Sequence, residues 1–282
     1  MKEKMSVRLF GGIIKPYLDY FDSLNERLKQ AGMKYSIEEY LSTMLLFSMV
    51  VFIVVMLLCS FYITITTAYV FYSYTLSIIL SFGSAAATFF IIYYYPTVRA
   101  KNVQNRLNKE LPFTAIYMST VASSNIQPAE MFKILSTKKG EVGKEFGRIY
   151  RDTQMLGMDV ATALTKAANR TPSTKLGELL WGMLSVITKG GDLTEYLSGK
   201  AKELMSQYRR SLNDYSKQIS FYTEIYITLI IVGTLFFIVL SSIMSPLVGG
   251  DILLVQTFLV FFFIPFISVG FIVLLKGISP TG

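Results

Sequence analysis

Histidine is absent from this 282-residue chain and cysteine occurs once, at Cys59. Structural zinc, a Ser/His/Asp triad, a Cys/His nucleophile pair and an intrachain disulfide are excluded by those two counts. Charge is scarce as well, at 16% of residues, and none at all lies between Glu39 and Arg99; after Glu224 only Asp251 is charged before Lys276. What fills the chain instead is apolar, with 52% hydrophobic residues, 14% aromatics and a mean hydropathy of +0.46. Ordinary soluble domains are markedly less apolar.

An apolar run from Tyr40 to Val98 would be roughly 90 Å long as one helix at 1.5 Å per residue, against a bilayer core of about 30 Å. The run therefore crosses, turns and crosses back, and the second apolar region does the same. The expected spans are Leu41 to Thr66, Tyr69 to Tyr95, Phe221 to Met244 and Ile252 to Leu275. Short outer loops around Thr67 and from Pro246 to Asp251 close the two hairpins. The chain thus reads as an all-α polytopic membrane protein, with four transmembrane helices and a cytoplasmic helical bundle inserted between two transmembrane hairpins. Residues 1–40 form a cytoplasmic amphipathic segment, 41–96 the first hairpin, 97–220 the bundle and 221–282 the second hairpin. No cleaved export signal is expected at the N-terminus, where both signs of charge are frequent and no short apolar core precedes a small-residue site.

Orientation follows from the cations, which lie in residues 1–43, in residues 97–220 and at Lys276, leaving none for the outer loops. With an even number of crossings, both termini and the bundle belong in the cytoplasm, in a multi-pass protein of the cell membrane. The net charge of +8 is explained by this topology and by attraction to membrane lipid. It does not point to nucleic acid, because the basic residues are scattered and no recognition motif accompanies them.

Between the hairpins strand alternation is missing and helix stop and start signals recur, so the segment is a helical bundle. Pro112 is expected to open its first helix, with Phe113, Ile116, Tyr117, Thr120 and Val121 at helical spacing and Ser123 to Asn125 as the stop. Pro128 opens the second helix, which ends before Lys138. Glu141 to Leu156 make the third, with Val142, Phe146, Ile149 and Met155 apolar and Gly157 as the left-handed terminator. Asp159, Ser173 and Asp192 cap the next three. The last of these runs without a break into the third span, giving a continuous helix from Leu193 to Met244. The first forty residues carry Leu9, Ile13, Tyr17, Phe21, Leu24 and Leu28 at intervals of three or four, an amphipathic element for the membrane surface or for docking on the bundle.

No nucleotide-binding loop exists, since neither Gly143-Lys144 nor Gly199-Lys200 is followed by Ser or Thr. Gly190-Gly191-Asp192 is a helix stop and cap. The chain is therefore expected to be no enzyme and to hold no cofactor or metal. Glu224, just inside the third span, needs the head-group boundary, a water-filled cleft or a cationic partner. Gly83 and Ala87 in the second span and Gly233 in the third are expected helix-packing positions. A polytopic transporter or channel subunit is the alternative class, but no ionisable residue lies near the middle of any span.

The ordered set Leu111-Pro112-Phe113, Gly157 before Ala163-Leu164, Thr171-Pro172 and Lys189-Gly190-Gly191-Asp192-Leu193 with Glu195, Tyr196 and Leu197 resembles the F domain of type II secretion systems. Within that family it is similar to the platform proteins of archaeal type IV pili and archaella, as is Ser36-Ile37-Glu38-Glu39-Tyr40-Leu41 before the first span. The resemblance implies a scaffold beneath a growing filament, coupling a hexameric secretion ATPase to the insertion of prepilin subunits. Related platforms usually carry two such domains. One here implies either a single-domain type needing a homodimer or a partner, or a piece of a longer chain. For the ATPase contact the expected residues are the charged ones on loops between the helices, Lys138, Lys139, Glu141, Lys189, Asp192 and Glu195. Glu224 is the expected receiver of a cation such as the N-terminal amine of a prepilin.

Overall fold

The computed structural model describes residues 5–33, 35–66, 70–124, 126–248, 254 and 257–278. Among these every regular element is helical. Four helices are long and apolar enough to cross a membrane, at Ile37–Ile63, Tyr74–Ala122, Leu193–Met244 and Val260–Gly277. The expected loop around Thr67, residues 249–251 of the expected Pro246–Asp251 loop and the helix stop at Asn125 lie outside the described residues, and Pro246 lies inside the helix Gly233–Val248 rather than in a loop. The chain divides into two compact units, Met1–Lys200 and Ala201–Gly282.

In the first unit α1 (Met5–Ile14), a 3-10 stretch (Lys15–Phe21) and α2 (Asp22–Gln30) precede the hairpin of α3 (Ile37–Thr66) and α4 (Val70–Ala122). The bundle follows as α5 (Pro128–Ser136), α6 (Glu141–Gln154), α7 (Val160–Arg170), α8 (Thr174–Lys189) and the start of α9 (Leu193–Tyr226). The amphipathic N-terminal segment packs mainly on the first hairpin, and the end of α2 also reaches the bundle at α7 and beside Arg148 of α6. Ile14, Leu24 and Leu28 are buried with Tyr40, Leu41 and Met44 of α3, and Phe89, Ile92 and Tyr93 of α4 pack against them. Its place is the foot of the first hairpin. The side chains of Leu9, Ile13 and Tyr17 lie outside the described set. Gly32, at φ +65°, lets the chain turn out of α2, and Met33 N donates to Leu28 O at 3.1 Å.

Small hydroxyl residues close the hairpin itself. Ser77 and Ser81 are buried, Ser48 Oγ donates to Ala85 O at 3.0 Å, and Tyr40 Oη donates to Ile92 O at 2.6 Å. These side chains complete backbone hydrogen bonding where lipid offers none.

Pro112 does not open a helix. It lies inside the 53-residue α4, which runs unbroken from the second span to Ala122. An interior proline costs about 3 kcal/mol, but Leu107, Leu111, Ala115 and Met118 form a fully buried stripe through that point. Burying a Leu or Met side chain contributes roughly 1.5–3 kcal/mol, so three of them outweigh the proline. The buried face is accordingly rotated from the expected one: Phe113 and Ile116 are exposed. Met155 is exposed too, because α6 ends at Gln154 before Gly157 (φ +64°). The other helix boundaries follow the local signals. Asp159 Oδ2 accepts from Ala161 N at 3.1 Å, Ser173 Oγ from Leu176 N at 3.1 Å, and Asp192 Oδ1 from Thr194 N at 2.7 Å.

In the second unit the remainder of α9 leads through a wide π-helical stretch (Ile227–Val232) into α10 (Gly233–Val248). A second π stretch (Leu259–Phe263) precedes α11 (Ile264–Ile278). Pro265 has no N–H and its ring crowds the carbonyl four residues back, at Phe261, so a wide turn there relieves the conflict. Tyr226 joins the two helices: its ring stacks on Phe271 with centroids 4.7 Å apart, and its hydroxyl is 2.8 Å from Ser268 Oγ.

Candidate functional site

The last two turns of α4 bring the two charged loops onto one helix end. Lys138 Nζ, from the α5–α6 loop, lies 3.8 Å from the centroid of the Tyr117 ring, a cation–π contact. Thr194 Oγ1, from the first turn of α9, donates to Ala122 O at 3.2 Å. Tyr117 and Ala122 are separated by about 7.5 Å of helix rise, and Pro96 to Ala122 by about 40 Å. The candidate residues thus sit at the end of α4 far from its apolar half.

Each loop is held by α4 or by its own caps. Gly140 precedes α6 and carries no side chain to cap it, so the Glu110 carboxylate of α4 serves instead, accepting from Val142 N at 2.9 Å. A Cβ on Gly140 (φ +121°) would collide with that carboxylate, and one on Gly143 would meet the Lys138 carbonyl oxygen. At the second loop Gly190 takes the left-handed terminator position (φ +73°). Tyr196 Oη donates to Leu179 O at 3.2 Å, and its ring occupies the space a Cβ on Gly182 would need. Helices α8 and α9 are locked together at that point.

The expected contact residues differ in how committed they are. Glu141 bonds Lys144 at 2.7 Å and faces Arg106 at 4.0 Å, with only 18% of its side chain exposed. Asp192 spends its carboxylate on the backbone of Thr194 and Glu195. Lys139, Lys189 and Glu195 are exposed. Nearby, the Glu130 carboxylate accepts from Lys133 Nζ at 3.2 Å and raises the lysine pKa above its ordinary value.

Glu224 is in the second unit, exposed, and has no hydrogen bond or ion pair among the described residues. Gly83 and Ala87 are exposed, on a different face of α4 from the buried Ser77 and Ser81. A Cβ on Gly83 or on Gly233 would meet nothing within 4 Å.

Beneath the loops lies a cluster that local sequence signals did not disclose. Glu145 is nearly buried, and its carboxylate takes Arg148 at 2.7 Å and Arg170 at 2.9 Å, joining α6 to α7. The available signal was its position in α6, on the same face as Val142, Phe146 and Ile149. Asp152 and Lys166 add a second α6–α7 ion pair at 3.1 Å, and Ser173 Oγ donates to Asn108 Oδ1 of α4 at 2.6 Å. Among the described residues no group of His, Cys, Asp and Glu could hold a metal ion.

Residues 114–241 match the family described as type II secretion system protein F. An uncharacterized protein of Methanocaldococcus jannaschii is 27% identical over 197 residues, covering 66% of this chain and 33% of that protein. The proteins named flagella accessory protein J from Methanocaldococcus jannaschii and Methanococcus voltae are each 24% identical over 172 residues, covering 60% of this chain and 30% and 31% of theirs. The chain therefore spans about a third of the length of these relatives. No solved structure matches it. From the last turns of α4 to the middle of α10 this multi-pass membrane chain is thus similar to type II secretion system protein F, and over much of its length it is similar to the archaellum accessory proteins.

Proposed function

We propose that this chain is the membrane platform of an archaellum-like or type IV pilus-like assembly machine, coupling a cytoplasmic secretion ATPase to the insertion of prepilin subunits into a filament. The observation that carries this reading is the extent of the protein F match, which begins on α4, covers the bundle and continues into an apolar helix. In this reading the protein transmits force and catalyses nothing. Its termini and bundle face the cytoplasm, on the strength of the cation distribution. The division at residues 40, 96 and 220 is then functional: a docked N-terminal segment, two membrane hairpins and an ATPase-facing bundle. A second copy or a longer chain completes the platform.

The geometry of α4 supports the mechanical part. One helix holds both an apolar membrane half and the anchor points of both charged loops, so a push on the loops reaches the bilayer without melting anything between. Lys138, Lys139, Lys189 and Glu195 are the proposed ATPase contacts, with Glu141 and Asp192 holding the loops in shape. Glu224, exposed and without a counter-charge, is the proposed receiver of a prepilin amine. In a pull-down with the cognate secretion ATPase, reversing Lys138 and Lys139 to Glu should weaken capture at least tenfold, roughly 1.4 kcal/mol, while Glu224→Gln leaves it unchanged and lowers filament number. Undiminished capture by the reversed loop would remove it as the contact.

A further inference from the structure

Two adjoining cavities lie at the foot of the first hairpin, within the first unit. The larger, about 720 Å³, is walled by apolar and aromatic side chains, among them Met33, Tyr40, Leu46, Phe47 and Ile91. The other, about 430 Å³, is polar and runs along one face of α4 through Asn102, Val103 and Arg106 towards Lys144 and Arg148 of α6. Tyr95 and Arg99 line both. We propose that this composite groove binds one anionic phospholipid, its phosphate against Arg99 and Arg106 and a hydrocarbon chain along Leu46, Phe47 and Ile91.

Charge favours an anion in the polar half. Of its four cations, Arg148 is already bonded to Glu145 and Lys144 to Glu141. Arg106 reaches Glu141 only at 4.0 Å with most of its side chain exposed, and Arg99 has no ion pair among the described residues. Residues 99, 102, 103 and 106 share one helix face, so both guanidinium groups and an amide are offered on the same side. Guanidinium binds phosphate through two parallel hydrogen bonds, which makes Arg the fitting residue type.

Dimensions and surroundings favour a lipid over a free anion. Ile91 to Arg99 is about 12 Å of helix rise, close to the half-thickness of roughly 15 Å that one leaflet offers. Phe47, Ile91 and Tyr95 are exposed on the outside of the hairpin, so the apolar cavity opens on the surface that hydrocarbon covers. Tyr95 stands one turn from Arg99, where an aromatic with a polar tip marks the head-group level. The docked N-terminal segment walls the groove through Met33 and Tyr35 at one cavity and Gln30 to Gly32 at the other. Lipid binding would thereby stabilise the docked form of residues 5–33. The inference needs only the membrane reading and does not depend on the platform function.

The test is native mass spectrometry of the full chain in neutral detergent, with phosphatidylglycerol and phosphatidylcholine supplied in equal amounts. The wild type should retain one phosphatidylglycerol per chain in preference to phosphatidylcholine. Arg99→Gln combined with Arg106→Gln should lower that retention roughly tenfold or more, about 1 kcal/mol per basic residue, without loss of helix content. Leu46→Trp, which fills the apolar half and leaves every charge in place, should lower it as well and decides the matter if the arginine variant misfolds. Millimolar inorganic phosphate should not displace the lipid. Equal retention of the two lipids, retention unaffected by either variant, or displacement by phosphate alone would each overturn the proposal.

Discussion

Glu145 carries more of the bundle than any exposed ion pair, because its nearly buried carboxylate is shared between two partly buried guanidinium groups. A surface pair such as Lys133–Glu130, with both side chains open to water, adds little. Removing the shared carboxylate leaves two partly buried guanidinium groups without their counter-charge, at a cost below the roughly 3–5 kcal/mol of a fully buried pair because water still reaches both. Glu145→Ala should therefore lower the melting temperature of the purified chain by several degrees and open the α6–α7 junction to protease, whereas Lys133→Ala should change neither. A melting temperature within a degree of wild type would show that the triad is not structural. At this scale the helix caps could be read directly, since Asp159, Ser173 and Asp192 act on residues two or three positions away. Glu110 capping α6 across thirty-two positions, and Tyr117 under Lys138, could not, because the partner is set by packing. Pro112 misled for the related reason that its local preference is outweighed by a stripe of contacts formed only in the folded bundle.

At the scale of elements α4 is the spine of the first unit. It contributes the second span, the buried stripe from Leu107 to Met118, the cap of α6 and the anchor points of both charged loops. Leu111→Ala should cost about 2–5 kcal/mol through the cavity it leaves. Pro112→Ala, which restores a helical N–H, should be neutral or stabilising; both are read from thermal unfolding followed by helix circular dichroism. A large loss from Pro112→Ala would mean that the proline starts a helix after all. The spans were legible because an uncharged apolar run admits few readings. The docking of the N-terminal segment was only half legible: its spacing announced an apolar face, but not that the foot of the first hairpin would cover it. The wide turn ahead of Pro265 follows from that proline, whereas the one before Gly233 follows from no short motif.

For the whole molecule the proposed orientation puts both charged loops on the inner side of the membrane. With Cys59 replaced by Ser as background, a cysteine at Lys139 or at Lys189 should resist a membrane-impermeant maleimide in intact cells and react once the cells are opened. Labelling from outside would reverse the proposed orientation. Whether the chain is a platform for filament assembly is decided by electron microscopy of cells from which it has been deleted and to which it is then returned. Filaments should disappear while prepilin still accumulates in the membrane, and should return with the chain. Filaments of normal number and length in the deleted cells would contradict the platform reading.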